Sequence, residues 1–82
     1  MIRMRMAEIL GKILDAKIKE HEIFDDTNLI EDFGLSSLDI LYLIVEIEDC
    51  FKINIDLTKF DSNSFYKYLI FENYIRKSML SE

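Results

Sequence analysis

Apolar residues recur at helical spacing in three stretches of this chain, and the spacing fails between them. In the first stretch Met6, Ile9, Leu10, Ile13 and Leu14 fall on one face, with Arg5, Glu8, Lys12 and Asp15 elsewhere. That pattern predicts a helix over residues 4–16. Gly11 lies inside it, where a glycine either costs stability or permits close packing. The second stretch opens at Ser36 and Ser37 and runs to about residue 50. Ile40, Leu43, Ile44, Ile47 and Phe51 form its apolar stripe, while Asp39, Tyr42, Glu46 and Asp49 form a wet face opposite. A third helix is predicted over residues 65–79, with Phe65, Tyr68, Leu69, Tyr74 and Ile75 as packing candidates. Asp61, Ser62, Asn63 and Ser64 offer N-caps ahead of it.

Between the first two helices, residues 19–35 lose all periodicity and carry Glu20, Glu22, Asp25, Asp26, Glu31 and Asp32. A solvated connection of this length needs apolar anchors if it is to stay folded down. Ile23, Phe24, Leu29 and Phe33 are the candidates, and Thr27 is placed to cap a short helical turn through Glu31. After the second helix, residues 52–57 alternate like a strand. With no second strand to pair with, an extended connection is expected. One short helical turn is expected over residues 57–60.

The chain has 82 residues, enough for one small domain over residues 1–82. It is 50% hydrophobic with no proline and two glycines, a composition that favours a helical bundle over a sheet fold. The net charge of −6 opposes binding to nucleic acid or to anionic membrane surfaces and suits docking onto basic protein patches. Cys50 is the lone cysteine, so no internal disulfide or cysteine-based zinc site is expected; the reading there is a half-buried structural thiol. His21 is the only imidazole, and no catalytic metal is expected. No apolar run reaches the roughly 20 residues a membrane span needs. The first six residues, Met1 to Met6, lack the apolar core of a signal peptide, so a cytoplasmic protein is expected.

The chemistry converges on two adjacent serines. Ser36 sits as an N-cap, with Asp39 three residues on in the position of a capping-box acid. Ser37 then lies in the first turn with its hydroxyl free, and Gly34 lets the chain turn sharply into the helix. A phosphate attached there is favoured by unpaired backbone N–H groups and by the helix dipole. Both serines starting a helix and doing nothing more is the plainer alternative. A catalytic serine lacks support, because no Gly-x-Ser-x-Gly elbow exists and His21 stands in an acidic loop. The acids of that loop lack the alternating ligands and the glycine of a calcium-binding hand.

The central segment resembles the acyl carrier protein family, including its polyketide and peptidyl relatives. Asn28, Leu29, Ile30, Glu31, Asp32, Phe33 and Gly34 are similar to the loop leading into the family's attachment site. Ser37, Leu38 and Asp39 match the Ser-Leu-Asp that follows it, and Ile44, Ile47, Glu48, Asp49 and Phe51 match its recognition helix. Similarity continues weakly through Ile53 and Ile55.

This resemblance implies an all-α four-helix bundle with a long first loop and a short third helix. It implies a monomer that is no enzyme itself and that receives 4′-phosphopantetheine from coenzyme A on Ser37 through a phosphopantetheinyl transferase. A separate enzyme then loads an acyl or aminoacyl group as a thioester. Downstream synthases or transferases of fatty-acid, polyketide or related biosynthesis take it on. Leu38, Asp39, Tyr42, Val45, Glu46, Glu48 and Asp49 become the expected partner-docking residues. The chain departs from the family pattern in having Ser36 where an aspartate is usual, Tyr42 where the fatty-acid branch commonly has an acid, and no proline after Ile55. Those departures imply altered docking and make a dedicated pathway plausible. The alternative from another class is a small helical interaction module without a cofactor.

Overall fold

The apolar stripe of the first helix extends further toward the N-terminus than its spacing suggests, because Ile2, Met6 and Leu10 continue it and are all buried. The computed structural model describes residues 1–80; Ser81 and Glu82, which the expected single domain includes, lie outside the described residues. Four α-helices and no strands are present among them: α1 (Ile2–Leu14), α2 (Leu29–Phe33), α3 (Ser37–Phe51) and α4 (Tyr68–Leu80). The described residues are thus an all-helical bundle of the expected class, built around one hydrophobic cluster.

Helices α1, α2 and α3 end in the same way. Asp15, Gly34 and Lys52 each take the left-handed conformation. The next N–H turns back onto the helix, Ala16 to the Gly11 carbonyl at 3.0 Å, Leu35 to Ile30 at 3.1 Å and Ile53 to Glu48 at 3.3 Å. This exit satisfies carbonyls that a helix end leaves open. Gly11 earns its place here, since a Cβ on it would stand 2.7 Å from the Ala16 carbonyl oxygen. The close-packing reading of this glycine is the one the structure supports.

The long connection is tied down by fewer apolar residues than expected. Ile23 and Leu29 are buried and Phe33 is half-buried, but Phe24 is 62% exposed. The cause is a tight turn in which the Phe24 N–H donates to Thr27 Oγ1 at 2.7 Å and the Thr27 N–H donates to the Phe24 carbonyl at 3.1 Å. Thr27 is buried and Phe24 faces out. The cap of α2 is therefore Asn28, whose Oδ1 accepts from Ile30 at 3.1 Å and Glu31 at 2.9 Å. A 3-10 turn over Glu20–Glu22 precedes it.

Leu43, Ile44 and Ile47 of α3 are buried, whereas Ile40 and Phe51 at the two ends of the stripe are half-buried. Beyond α3, Ile53 and Ile55 are buried in a connection that is neither helix nor strand. The Glu48 carboxylate takes the role of a strand partner by accepting the Ile55 N–H at 2.8 Å. Residues 57–60 do not form a helical turn. Asp56 closes a tight turn instead, accepting the Thr58 N–H at 3.0 Å on its side chain and the Lys59 N–H at 3.0 Å on its carbonyl. The helical turn falls later, as 3-10 over Ser62–Phe65 with Asp61 as its cap. Helix α4 starts three residues after its predicted position and buries Tyr68, Phe71 and Ile75. Phe60, Phe65, Phe71 and Tyr74 stack edge-on or tilted with centroids 5.0 to 5.7 Å apart.

The start of α4 is capped by backbone from the distant first connection. The N–H groups of Tyr68 and Leu69 donate to the carbonyls of Thr27 at 2.9 Å and Asp25 at 2.8 Å. Arg3 of α1 braces the same place, donating to Glu72 at 3.0 Å, to Asp25 at 2.8 Å and to the Ile23 carbonyl at 3.4 Å. Its guanidinium lies 4.9 Å from the centroid of the Tyr68 ring. Burial pushes the Glu72 carboxyl up, but the hydrogen bond and charge of Arg3 outweigh it and hold the group below its ordinary value.

Two expectations follow. Ile47→Ala removes a fully buried side chain and should cost about 2–5 kcal/mol in chemical denaturation; a loss under about 0.5 kcal/mol, typical of surface positions, would contradict this core. Because Glu72 has a depressed folded-state pKa, its stabilisation is fully present above the ordinary value of 4.5 and fades as pH falls through the folded value. Melting temperatures of wild type and Glu72→Gln should therefore differ at neutral pH and converge in acid, and a constant gap would sink the assignment.

Candidate functional site at the start of α3

Helix α2 ends where Gly34 takes φ +67, a conformation that L side chains rarely adopt. Nothing lies within 4 Å of a Cβ built there, so conformation and not space requires the glycine. Leu35 follows and is buried, which pins the chain one residue before the serines. Only two residues, Leu35 and Ser36, separate this turn from α3.

Ser36 is the N-cap of α3 in extended backbone. Its Oγ accepts the Asp39 N–H at 3.1 Å, and Asp39 Oδ2 accepts the Ser36 N–H at 3.0 Å. This reciprocal capping box is the arrangement the spacing predicts. It commits one serine hydroxyl and one carboxylate to the helix end. Ser37 stands next, at the first helical position, and is exposed. Its hydroxyl hydrogen-bonds to no base and to no other group among the described residues. The N–H groups of Ser37 and Leu38 are likewise unpaired there, leaving two donors and the positive helix end beside a free hydroxyl.

The expected docking residues divide by what they already touch. Leu38, Tyr42 and Val45 are exposed, and so is Leu41, which the sequence reading leaves unassigned. Positions 38, 41, 42 and 45 have helical spacing of their own, so α3 carries a second apolar stripe turned away from the core. That spacing is the signal by which Leu41 is legible. The acids are less available than a wet face implies. Asp39 is half-buried in its capping box. Glu46 is half-buried too, with Lys12 Nζ of α1 at 3.3 Å. Glu48 holds the Ile55 N–H. Asp49 is exposed, with Lys52 Nζ at 3.8 Å. A groove of about 250 Å³ opens between α1 and α3, lined by Lys12, Ile13, Tyr42 and Glu46.

Other sequence candidates lie apart from this arrangement. Cys50 is exposed and not half-buried, because at its register the helix face points to solvent. His21 is exposed in the 3-10 turn of the first connection. Among the described residues no three His, Cys, Asp or Glu side chains come together to hold a metal ion. No helix among them is long and apolar enough to cross a membrane.

Comparison with known proteins fits this geometry. A family profile described as "Phosphopantetheine attachment site" matches residues 2–65, from the start of α1 to the end of the second 3-10 turn. Curated proteins named "Acyl carrier protein" from Buchnera aphidicola subsp. Acyrthosiphon pisum, strains Tuc7 and APS, are 41% identical over 54 residues. That match covers 66% of this chain and 65% of each relative. The group that such domains carry is phosphopantetheine. With its profile match across most of its length and its helical bundle, the chain belongs to the acyl carrier protein family.

Proposed function

We propose that this chain is a single-domain, monomeric, cytoplasmic carrier protein that holds 4′-phosphopantetheine on Ser37. The observation that carries the reading is the free, exposed hydroxyl of Ser37 beside a neighbour, Ser36, whose hydroxyl is committed to the cap. The residues fit the group. Open space surrounds the turn at Gly34, and the unpaired N–H groups of Ser37 and Leu38 favour a phosphate ester at that oxygen.

In this reading Ser37 Oγ forms the new bond to the phosphopantetheinyl phosphorus of coenzyme A. The phosphoanhydride bond breaks, adenosine bisphosphate leaves, and the hydroxyl proton passes to a base. No base among the described residues hydrogen-bonds to the Ser37 hydroxyl, and in this reading a phosphopantetheinyl transferase supplies it. When bound, the group supplies a terminal thiol on which a separate enzyme loads an acyl or aminoacyl cargo as a thioester. Leu38, Leu41, Tyr42 and Val45 form the apolar centre of the docking face for these enzymes and for downstream synthases or transferases. Asp39, Glu46, Glu48 and Asp49 give the face its acidic character and speed the encounter with basic partners.

Incubation with coenzyme A and a broad-specificity transferase, followed by intact mass, tests the assignment. Ser36→Ala should lose up to about 1 kcal/mol of capping and still gain the phosphopantetheinyl mass. Ser37→Ala should stay folded and gain nothing. The opposite pattern would move the site to Ser36, and no gain in wild type would favour an interaction module without a cofactor. For the docking face, Leu41→Ser should leave stability within about 0.5 kcal/mol and slow modification. Unchanged rates for Leu41→Ser and for Val45→Ser would remove the apolar stripe from the face.

A further inference from the structure

Two lysines stand beside acids of the docking face: Lys52 lies 3.8 Å from Asp49 with both side chains 81% exposed, and Lys12 makes the closer and less exposed pair. Lys12, in the last turn of α1, places its ammonium 3.3 and 3.5 Å from the two carboxylate oxygens of Glu46 on α3. The Lys12 side chain is 71% exposed and that of Glu46 33%, so the lysine is the more accessible member of the pair. Both line the groove with Ile13 and Tyr42. A partner approaching α3 therefore meets a positive charge between Asp39 and the exposed Asp49.

A protein of net charge −6 draws basic surfaces of many kinds from a distance, and that long-range field does not discriminate between them. Discrimination falls to the contacts made last, where a misplaced like charge rejects a wrong partner. We propose that Lys12 is a specificity-determining residue of the docking face. It occupies the Glu46 carboxylate, so a basic partner reaches Glu46 only by displacing Lys12. The partner protein that fits this surface presents a cation to Asp49, an apolar side chain to the groove beside Tyr42 and Ile13, and no cation to Glu46. The contact of Asp49 with Lys52 is longer and more exposed than that of Glu46 with Lys12. This inference rests on the carrier reading above, which assigns the face.

The alternative role for the pair is a staple that only joins α1 to α3. A double-mutant cycle separates the two. Wild type, Lys12→Met, Glu46→Gln and the double variant are incubated with coenzyme A and a transferase whose docking patch is basic. Initial rates of mass gain are read at low and high salt, with melting temperatures alongside; Lys12→Gln repeats the test with a polar replacement. Lys12→Met should be modified about two- to fivefold faster at low salt, the range of an exposed ion pair. Glu46→Gln should slow the Lys12→Met background more than it slows wild type, and high salt should shrink that difference. Additive effects would mean that both charges act only through the distant field, and would overturn the proposal. Lowered melting temperatures with unchanged rates would make the pair a staple and overturn it equally. No mass gain in any variant would remove the carrier reading and this proposal with it.

Discussion

Everything in this bundle depends on how the segment around Thr27 is held. Its carbonyls cap the first turn of α4, and Arg3 of α1 locks it from the other side. Three parts of the chain that are remote in sequence thus share one small polar junction over the ring of Tyr68. An acidic connection with three buried apolar anchors, Ile23, Leu29 and Leu35, is not fixed by burial alone. The backbone groups of α4 and the guanidinium of Arg3 supply what the hydrophobic effect does not. Because the segment is fixed, α2 starts in a defined place, and its end at Gly34 delivers Ser36 and Ser37 to the head of α3.

The parts legible in the sequence are those set by neighbours a turn apart. The core stripe of α3 needs only helical periodicity, and Leu43, Ile44 and Ile47 are buried as that pattern requires. The capping box of Ser36 and Asp39 is a local rule and holds. What was not legible depends on partners distant in sequence. The start of α4 is set by carbonyls of Thr27 and Asp25, so the local caps at residues 61–64 place it too early. Phe24 looks like an anchor by composition, but the Thr27 hydroxyl turns it outward. The acids of α3 read as docking residues open to partners, while Lys12 and the Ile55 N–H, neither of them within α3, engage Glu46 and Glu48.

Helix α3 therefore has two apolar sides of different purpose. One packs on α1 and into the common core and holds the bundle together; the other, from Leu38 to Val45, has no cover among the described residues. Such a surface costs solubility, and the net charge of −6 offsets that by repulsion between copies of the chain.

The three left-handed helix exits carry a consequence for how much change the chain can absorb. Only Gly34 takes that conformation freely, whereas Asp15 and Lys52 hold it with a Cβ in place. Each such residue costs on the order of 1 kcal/mol, and the structure tolerates both because the returning N–H of the next residue closes the helix. The strain sits at the far end of α3 and at the end of α1, while the exit nearest the serines is the relaxed one. The bundle thus holds a reserve of unclaimed stability away from its working end, and neutral drift at Asp15 and Lys52 can draw on it without disturbing the turn that presents Ser37.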